Sequence, residues 1–349
     1  MPWLKFALAS LILGGVVCAP ASAQTSNLAT DSELDSQPAR SFKIEIRSLF
    51  NQEKFSQLDE ITEAARSQKQ RFLGGGWKLR VFYDALREPG SLTATDDVWN
   101  AHIARFERWI AASPNSSTPR VALAAALLDF AWKARGNGPG ETVTPEGWDL
   151  FSDRVQKARN TLNEAKSISA ANPQWYLEME TVALAQGWDH NTTEKLVEDA
   201  SNVEPGYFYI YNKHTNYLLP KWYGQPGDSE DFLKSTADRI GGAEGDFIYF
   251  QIARNLNCCR VKAQMPNLSW DRVKQGFAAL EKLYGSTNQQ LNAFAFMAVR
   301  QGDSETAQQL FTRIGDNWDE FVWGSKDKFE RSKATLSLAP KNDVTAAVR

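Results

Sequence analysis

Histidine and cysteine are both scarce, three of each in 349 residues, and that scarcity removes much of the chemistry a chain of this length can carry. His102, His190 and His214 stand in no metal-binding spacing such as H-E-x-x-H and beside no recognisable serine or cysteine nucleophile motif. Cys18 falls in the N-terminal segment, which leaves Cys258 and Cys259 as immediate neighbours. Adjacent Cα atoms lie ~3.8 Å apart, below the ~4.4 to 6.8 Å of ordinary disulfides, so no disulfide framework is expected. No second Cys/His cluster completes a zinc site, and two packed helix thiols are the expectation for this pair. On these grounds no catalytic residue, no metal site and no cofactor is predicted.

An excess of positive charge is missing too. The formal net charge is -3 and no basic stripe runs along any segment, so nucleic acid is not an expected partner. Long apolar runs are absent beyond the N-terminus. The run from Phe6 to Val17 falls short of the ~20 residues that span a bilayer, and no later segment is apolar enough to cross one.

What the first residues do contain is Lys5 ahead of that apolar run and Ala21, Ser22 and Ala23 after it. This is the pattern of a signal peptide over residues 1–23 cleaved after Ala23, and it predicts export, most simply to the periplasm. Cys18 raises a lipoprotein alternative, disfavoured by the bulky Val17 where a small residue would precede a lipidated cysteine. Residues 24–40 are polar and aperiodic, as expected of a flexible leader, and residues 334–349 read as a flexible tail. Between them, residues 41–333 carry the pattern of one helical repeat domain.

That pattern is a series of apolar stripes at helical spacing, punctuated by caps and glycines. Phe55, Leu58 and Ile61 lead to a turn at Gly74, Gly75 and Gly76, and Trp77, Val81 and Ala85 begin the helix that packs back. Trp99, Ile103, Phe106 and Ile110 form the next stripe, with His102 on its flank. Thr118 with Pro119, Thr144 with Pro145 and Asn172 with Pro173 are helix starts, while Gly136 and Gly187 are stops. Asn191 with Glu194 reads as a capping box, Ser269 as a further cap, and Asp303 caps the partner of a helix that ends at Gly302. Two antiparallel helices joined by a short glycine turn are the unit of helical repeat proteins, here with irregular repeats. All of this predicts an all-α fold of stacked antiparallel helix hairpins.

One stretch stands apart. LLPKWYGQPGD, Leu218 to Asp228, follows a helical face of Tyr207, Ile210, Tyr211, His214 and Leu218, and two glycines and two prolines break it before Asp228 can cap the next helix. The spacing predicts an extended corner between two helices. Tryptophan, tyrosine and arginine exposed on a stack of helices are the residue types that anchor partners. Lys221, Trp222, Tyr223 and Asp228 at this corner, His214 before it, and Trp132 with Arg135 before the GNGPG loop are therefore the candidate binding residues. For each aromatic the alternative is burial as core.

The strings GGGWKLRVFYDAL, AWKARGNGPGETVTPEGWDLF, LLPKWYGQPGD and NAFAFMAVRQGDSETAQQLFTRIGDNWDEFVWG together resemble the bacterial domain-of-unknown-function 4034 family over roughly residues 42–333. The resemblance implies a helical, tetratricopeptide-like fold, here a right-handed solenoid. It implies no activity and carries across no catalytic residue. The functional expectation is a non-enzymatic exported protein that binds a protein or peptide partner in the cell envelope. The alternative is a cell-wall glycan binder or hydrolase, in which tryptophan faces stack on sugars and paired carboxylates such as Glu230 and Asp231 do the cutting.

Overall fold

A computed structural model of the chain describes residues 36–169, 171–259 and 268–338. The signal segment, Cys18 and most of the expected leader and tail lie outside the described residues. Two edges of the expected helical domain move outward. Helix α1 (Gln37–Asn51) already begins inside the stretch expected to be leader, because Ser36 caps it and Ala39 is buried. The last helix, α16 (Lys326–Leu338), continues past residue 334.

The described residues are all-α, sixteen helices with an isolated antiparallel bridge between Arg71 and Trp77. After α1 come α2 (Phe55–Ser67), α3 (Lys78–Leu86), α4 (Asp96–Ala112), α5 (Thr118–Arg135) and α6 (Pro145–Ile168). The middle of the chain forms α7 (Pro173–Gln186), α8 (His190–Val203), α9 (Tyr209–Tyr217) and α10 (Asp228–Ile240). The rest forms α11 (Gly242–Cys259), α12 (Trp270–Tyr284), α13 (Asn288–Gln301), α14 (Ser304–Ile314) and the short α15 (Glu320–Trp323) before α16. Cys258 and Cys259 end α11, and the packing expected of their thiols lies outside what is described.

Most helix starts fall where short polar side chains and prolines put them. Thr144 accepts from the Gly147 N–H at 3.1 Å with Pro145 in the first turn, and Asn172 accepts from the Gln174 N–H at 3.1 Å with Pro173 behind it. Helix α8 departs from expectation. Its cap is Asp189, which accepts from the Thr192 N–H at 3.0 Å, while Glu194 pairs with His190 at 3.1 Å instead of closing a capping box on Asn191. A charged carboxylate at the positive end of the helix dipole out-competes the neutral amide two residues later.

The helices pack as hairpins. Arg154 of α6 donates to the Phe130 carbonyl of α5 at 2.8 Å, and the Trp175 indole of α7 donates to the Leu162 carbonyl of α6 at 2.6 Å. Phe250 of α11 sits edge-on to Phe277 of α12 at 5.3 Å. One core of buried residues extends from Ala39 to Phe329. Helix α4 buries Trp99, His102, Phe106 and Trp109, so the core face is turned from the expected stripe and Ile103 and Ile110 are left half-buried. His102 is accordingly no flank residue. Its Nε2–H donates to the Leu86 carbonyl at 2.8 Å and its ring meets Phe50 and Phe106 edge-on at 5.3 and 5.0 Å.

One contact set reaches beyond nearest neighbours. The turn at residues 71–77 inserts against α11, α12 and α13, far along the chain. Gln290 of α13 donates to the Gly74 carbonyl at 2.9 Å across 216 residues of sequence. The Arg71 guanidinium lies between the rings of Trp77 and Tyr284, 4.2 and 4.6 Å from their centroids, and donates to the Gly75 and Gly206 carbonyls and to Glu244. Gly74 and Gly75 both hold φ of 84°. A Cβ on Gly75 would come within 2.7 Å of the Phe247 ring, so glycine is required here both for conformation and for space.

Two outcomes follow from this packing. Gly75→Ala adds left-handed strain and a ring clash at a joint between distant helices, and chemical denaturation is expected to show a loss of about 2 kcal/mol or more. For His102, burial pushes the imidazole down to about 4 from its ordinary 6.5, against the weaker upward pull of its Leu86 bond. The unfolded chain takes up that proton first as pH falls below about 6.5, so stability is lost progressively between about pH 6.5 and pH 4. The loss amounts to at most about 3 kcal/mol. His102→Gln keeps a donor for Leu86, and its urea midpoints at pH 7 and pH 4.5 should differ less than those of the parent chain.

Candidate functional site

The Leu218–Asp228 corner is tightly turned, not extended. The N–H groups of Leu218, Leu219, Trp222, Tyr223 and Gly224 all bond to carbonyls between His214 and Leu219, at 2.8 to 3.4 Å. Gly224 permits this fold-back, since a Cβ there would sit 2.0 Å from the Leu218 carbonyl oxygen. Asp228 opens the first turn of α10 without serving as its cap, a position held by Gly227 in the left-handed region. Its carboxylate accepts from the Gln225 N–H at 2.7 Å and so ties the end of the corner to the helix.

The corner aromatics point partly outward. Trp222 is 37% exposed and Tyr223 46%, with Lys221 exposed beside them. Tyr223 stacks on Tyr217 at 4.9 Å and donates to the Leu184 carbonyl at 3.2 Å, which fixes its ring while leaving an edge in solvent. Tyr217 in turn stacks on His214 at 5.4 Å. A column of three rings therefore connects the exposed Tyr223 to the fully buried His214. That histidine reaches no solvent: its Nδ1 meets Glu180 Oε1 at 2.9 Å, both side chains are fully buried, and its Nε2 and Glu180 Oε2 have no hydrogen-bond partner.

Trp132 and Arg135 belong elsewhere, at the α5/α6 hairpin. Trp132 is half-buried with its ring edge-on to Phe151 at 5.0 Å, and its indole N–H has no partner. Arg135 donates to the Gly136 and Gly138 carbonyls, and its guanidinium lies 5.8 Å from the Trp132 ring and 5.6 Å from that of Trp148. Trp148, 40% exposed, is the solvent face of that group.

A polar interior among α3, α5, α7 and α9 was not anticipated. Arg87 of α3 grips Asp129 of α5 with two bonds, 2.9 and 2.6 Å, and Glu178 of α7 with a third at 2.7 Å. Gln174 donates to the same Glu178 oxygen at 2.6 Å and accepts from the Tyr207 hydroxyl. Arg80 holds Asp84 at 2.9 Å and approaches Glu178 at 3.9 Å. Glu178 is only 1% exposed, yet its Oε2 has no partner. Lys213 of α9 projects among these charges, and burial, with Arg87 and Arg80 adding repulsion, pushes its ammonium down to about 8. A cue was present in the sequence. Helix α7 is apolar on every side, which marks a helix enclosed by others, so Gln174, Glu178 and Glu180 on it had to be buried and paired.

No family model, no curated protein and no solved structure matches this chain. Among the described residues, no group of three or more histidine, cysteine, aspartate or glutamate side chains is placed to hold a metal ion, and no helix is long and apolar enough to cross a membrane.

The Arg87 fork can be tested directly. Arg87→Met strands Asp129 and the buried Glu178 without their shared cation, and a loss of about 3 to 5 kcal/mol in urea-induced unfolding is expected.

Proposed function

We propose that this is an exported, non-enzymatic helical-repeat protein that binds a protein or peptide partner in the cell envelope at the Leu218–Asp228 corner. The reading includes the tetratricopeptide-like arrangement and membership of the domain-of-unknown-function 4034 family, supported by the four strings that carry the resemblance. The observation that carries the functional part is a rigid, backbone-bonded corner that presents Trp222 and Tyr223 at 37% and 46% exposure beside an exposed lysine. Aromatic rings already held in one orientation lose little entropy on binding, and tryptophan and tyrosine are the residues in which interface energy concentrates.

A second reading, glycan binding, is favoured by a different place. Trp148 offers a flat exposed indole backed by the Arg135 guanidinium at 5.6 Å, an arrangement suited to stacking on a sugar ring with a donor at its edge.

Selection of a random peptide library on the purified chain separates these readings. Trp222→Ala is expected to weaken the selected peptides by about thirtyfold or more, the effect of losing one interface anchor. The same change should move stability by less than about 1 kcal/mol, because the ring is already partly in solvent. Unchanged peptide affinity in Trp222→Ala removes the corner from the reading. Binding of a cell-wall oligosaccharide that Trp148→Ala abolishes replaces it with the glycan alternative.

A further inference from the structure

Lys213 is placed where a lysine ordinarily finds a carboxylate, and it has none. The three carboxylates of the surrounding interior are Asp84, Asp129 and Glu178, and each is already engaged by an arginine. Among the described residues Lys213 makes no hydrogen bond and no ion pair, and it is not among those with a further contact. Its side chain is half-buried, and solvent reaches the rim of the cluster at Asp129 and Arg87, whose side chains are 21% and 14% exposed. Two other groups are idle: Arg80 Nε and Nη1 make no hydrogen bond, and Glu178 Oε2 is a buried acceptor with no donor. Leaving such groups unmade is costly in a low-dielectric interior, so their complement is a ligand.

The idle groups specify its chemistry. Idle donors on Lys213 and Arg80 call for an anion, and the idle acceptor on Glu178 calls for an N–H close to it. With Lys213 protonated, three cations and three carboxylates cancel, so a second negative charge would be repelled by Asp84, Asp129 and Glu178 without a matching cation. We infer that Lys213 anchors a binding site for a compact monocarboxylate carrying an N–H on its α carbon, the carboxylate meeting Lys213 and the N–H meeting Glu178. Free α-amino acids and peptide C-termini share this chemistry. The corner takes no part in the site.

The charged groups that act on Lys213 are Arg80 and Arg87 of α3, Asp129 of α5 and Glu178 of α7, with the Tyr207 hydroxyl held nearby on Gln174. Because that environment brings the ammonium to about 8, the anchor is charged at pH 7 and largely neutral at pH 9.

Calorimetric titration of the full chain tests this with four probes: L-alanine, N-acetyl-L-alanine, N-acetyl-L-alanine amide and inorganic phosphate. At least one of the two carboxylates should bind at pH 7, the amide and phosphate should not, and affinity should fall about tenfold between pH 7 and pH 9 as the ammonium deprotonates. Binding of L-alanine alone assigns the site to free amino acids, and binding of N-acetyl-L-alanine alone assigns it to peptide C-termini. Lys213→Met should abolish the signal, and Lys213→Arg, whose charge persists at pH 9, should bind without the pH-dependent fall. Circular dichroism of both variants reports their folding, and the arginine variant alone decides the matter if the methionine one fails to fold. Trp222→Ala should leave these titrations unchanged, so loss of the corner and loss of this site are seen separately. Failure of both carboxylates to bind, equal binding of the amide or phosphate, an undiminished signal in folded Lys213→Met, or a fall at pH 9 in Lys213→Arg overturns the inference.

Discussion

The Arg71 guanidinium is the joint on which the architecture depends. It lies between an indole of the N-terminal part and a phenol ring of α12, and it donates to carbonyls on two separate turns and to Glu244 of α11. Each neighbour is set by the same insertion. Trp77 donates its indole N–H to the Gly206 carbonyl at 3.0 Å, its backbone N–H meets the Tyr209 hydroxyl at 3.0 Å, and Tyr284 donates to Glu244 at 2.7 Å. A stack of helix pairs held only by neighbour contacts has no such cross-connection. Here the start of α3 is pinned to the entrance of α9 and to α11 through α13, which makes the middle of the chain an enclosed space.

Enclosure explains the unusual chemistry of α7 and α9. Helices surrounded on every side would ordinarily be apolar throughout, yet these two carry Glu178, Glu180, Lys213 and His214. Charges placed there persist only when paired, and most are: Arg87 serves two carboxylates at once, and His214 faces Glu180. The exceptions are informative because they are few. A fold that satisfies almost every buried polar group and leaves a cation and a neighbouring carboxylate oxygen idle has kept binding capacity in its interior, distinct from the aromatic ledge on its surface.

Much of the fold was legible in the sequence, for a local reason. Proline in the first turn, a short polar side chain before it and a glycine after the last turn act within a few residues, so the starts at Thr144, Asn172, Ser269 and Asp303 and the stops at Gly136 and Gly187 are where the sequence puts them. Where two local signals compete, the stronger decides, as Asp189 does over Asn191 at α8. The rotation of α4, which buries His102 and Trp109 in place of Ile103 and Ile110, was not legible. Both faces are apolar enough, and the choice is made by Phe50 and Phe55 of other helices, which pack on those rings.

The corner divides along the same line. Its sequence alone determined that the chain must break between α9 and α10, because two prolines and two glycines permit no helix there, and that aromatics and a lysine would be carried on the break. Only the tertiary structure decided that the break is a tight fold-back, that Tyr223 is clamped through Tyr217 to a buried His214, and that Trp222 keeps a face in water. The same holds for Lys213 and Glu178, which lie 35 residues apart in sequence on separate helices. Helical periodicity is a property of neighbours along the chain, whereas burial and the pairing of charges belong to the space between helices, and that space exists only once the chain has closed on itself.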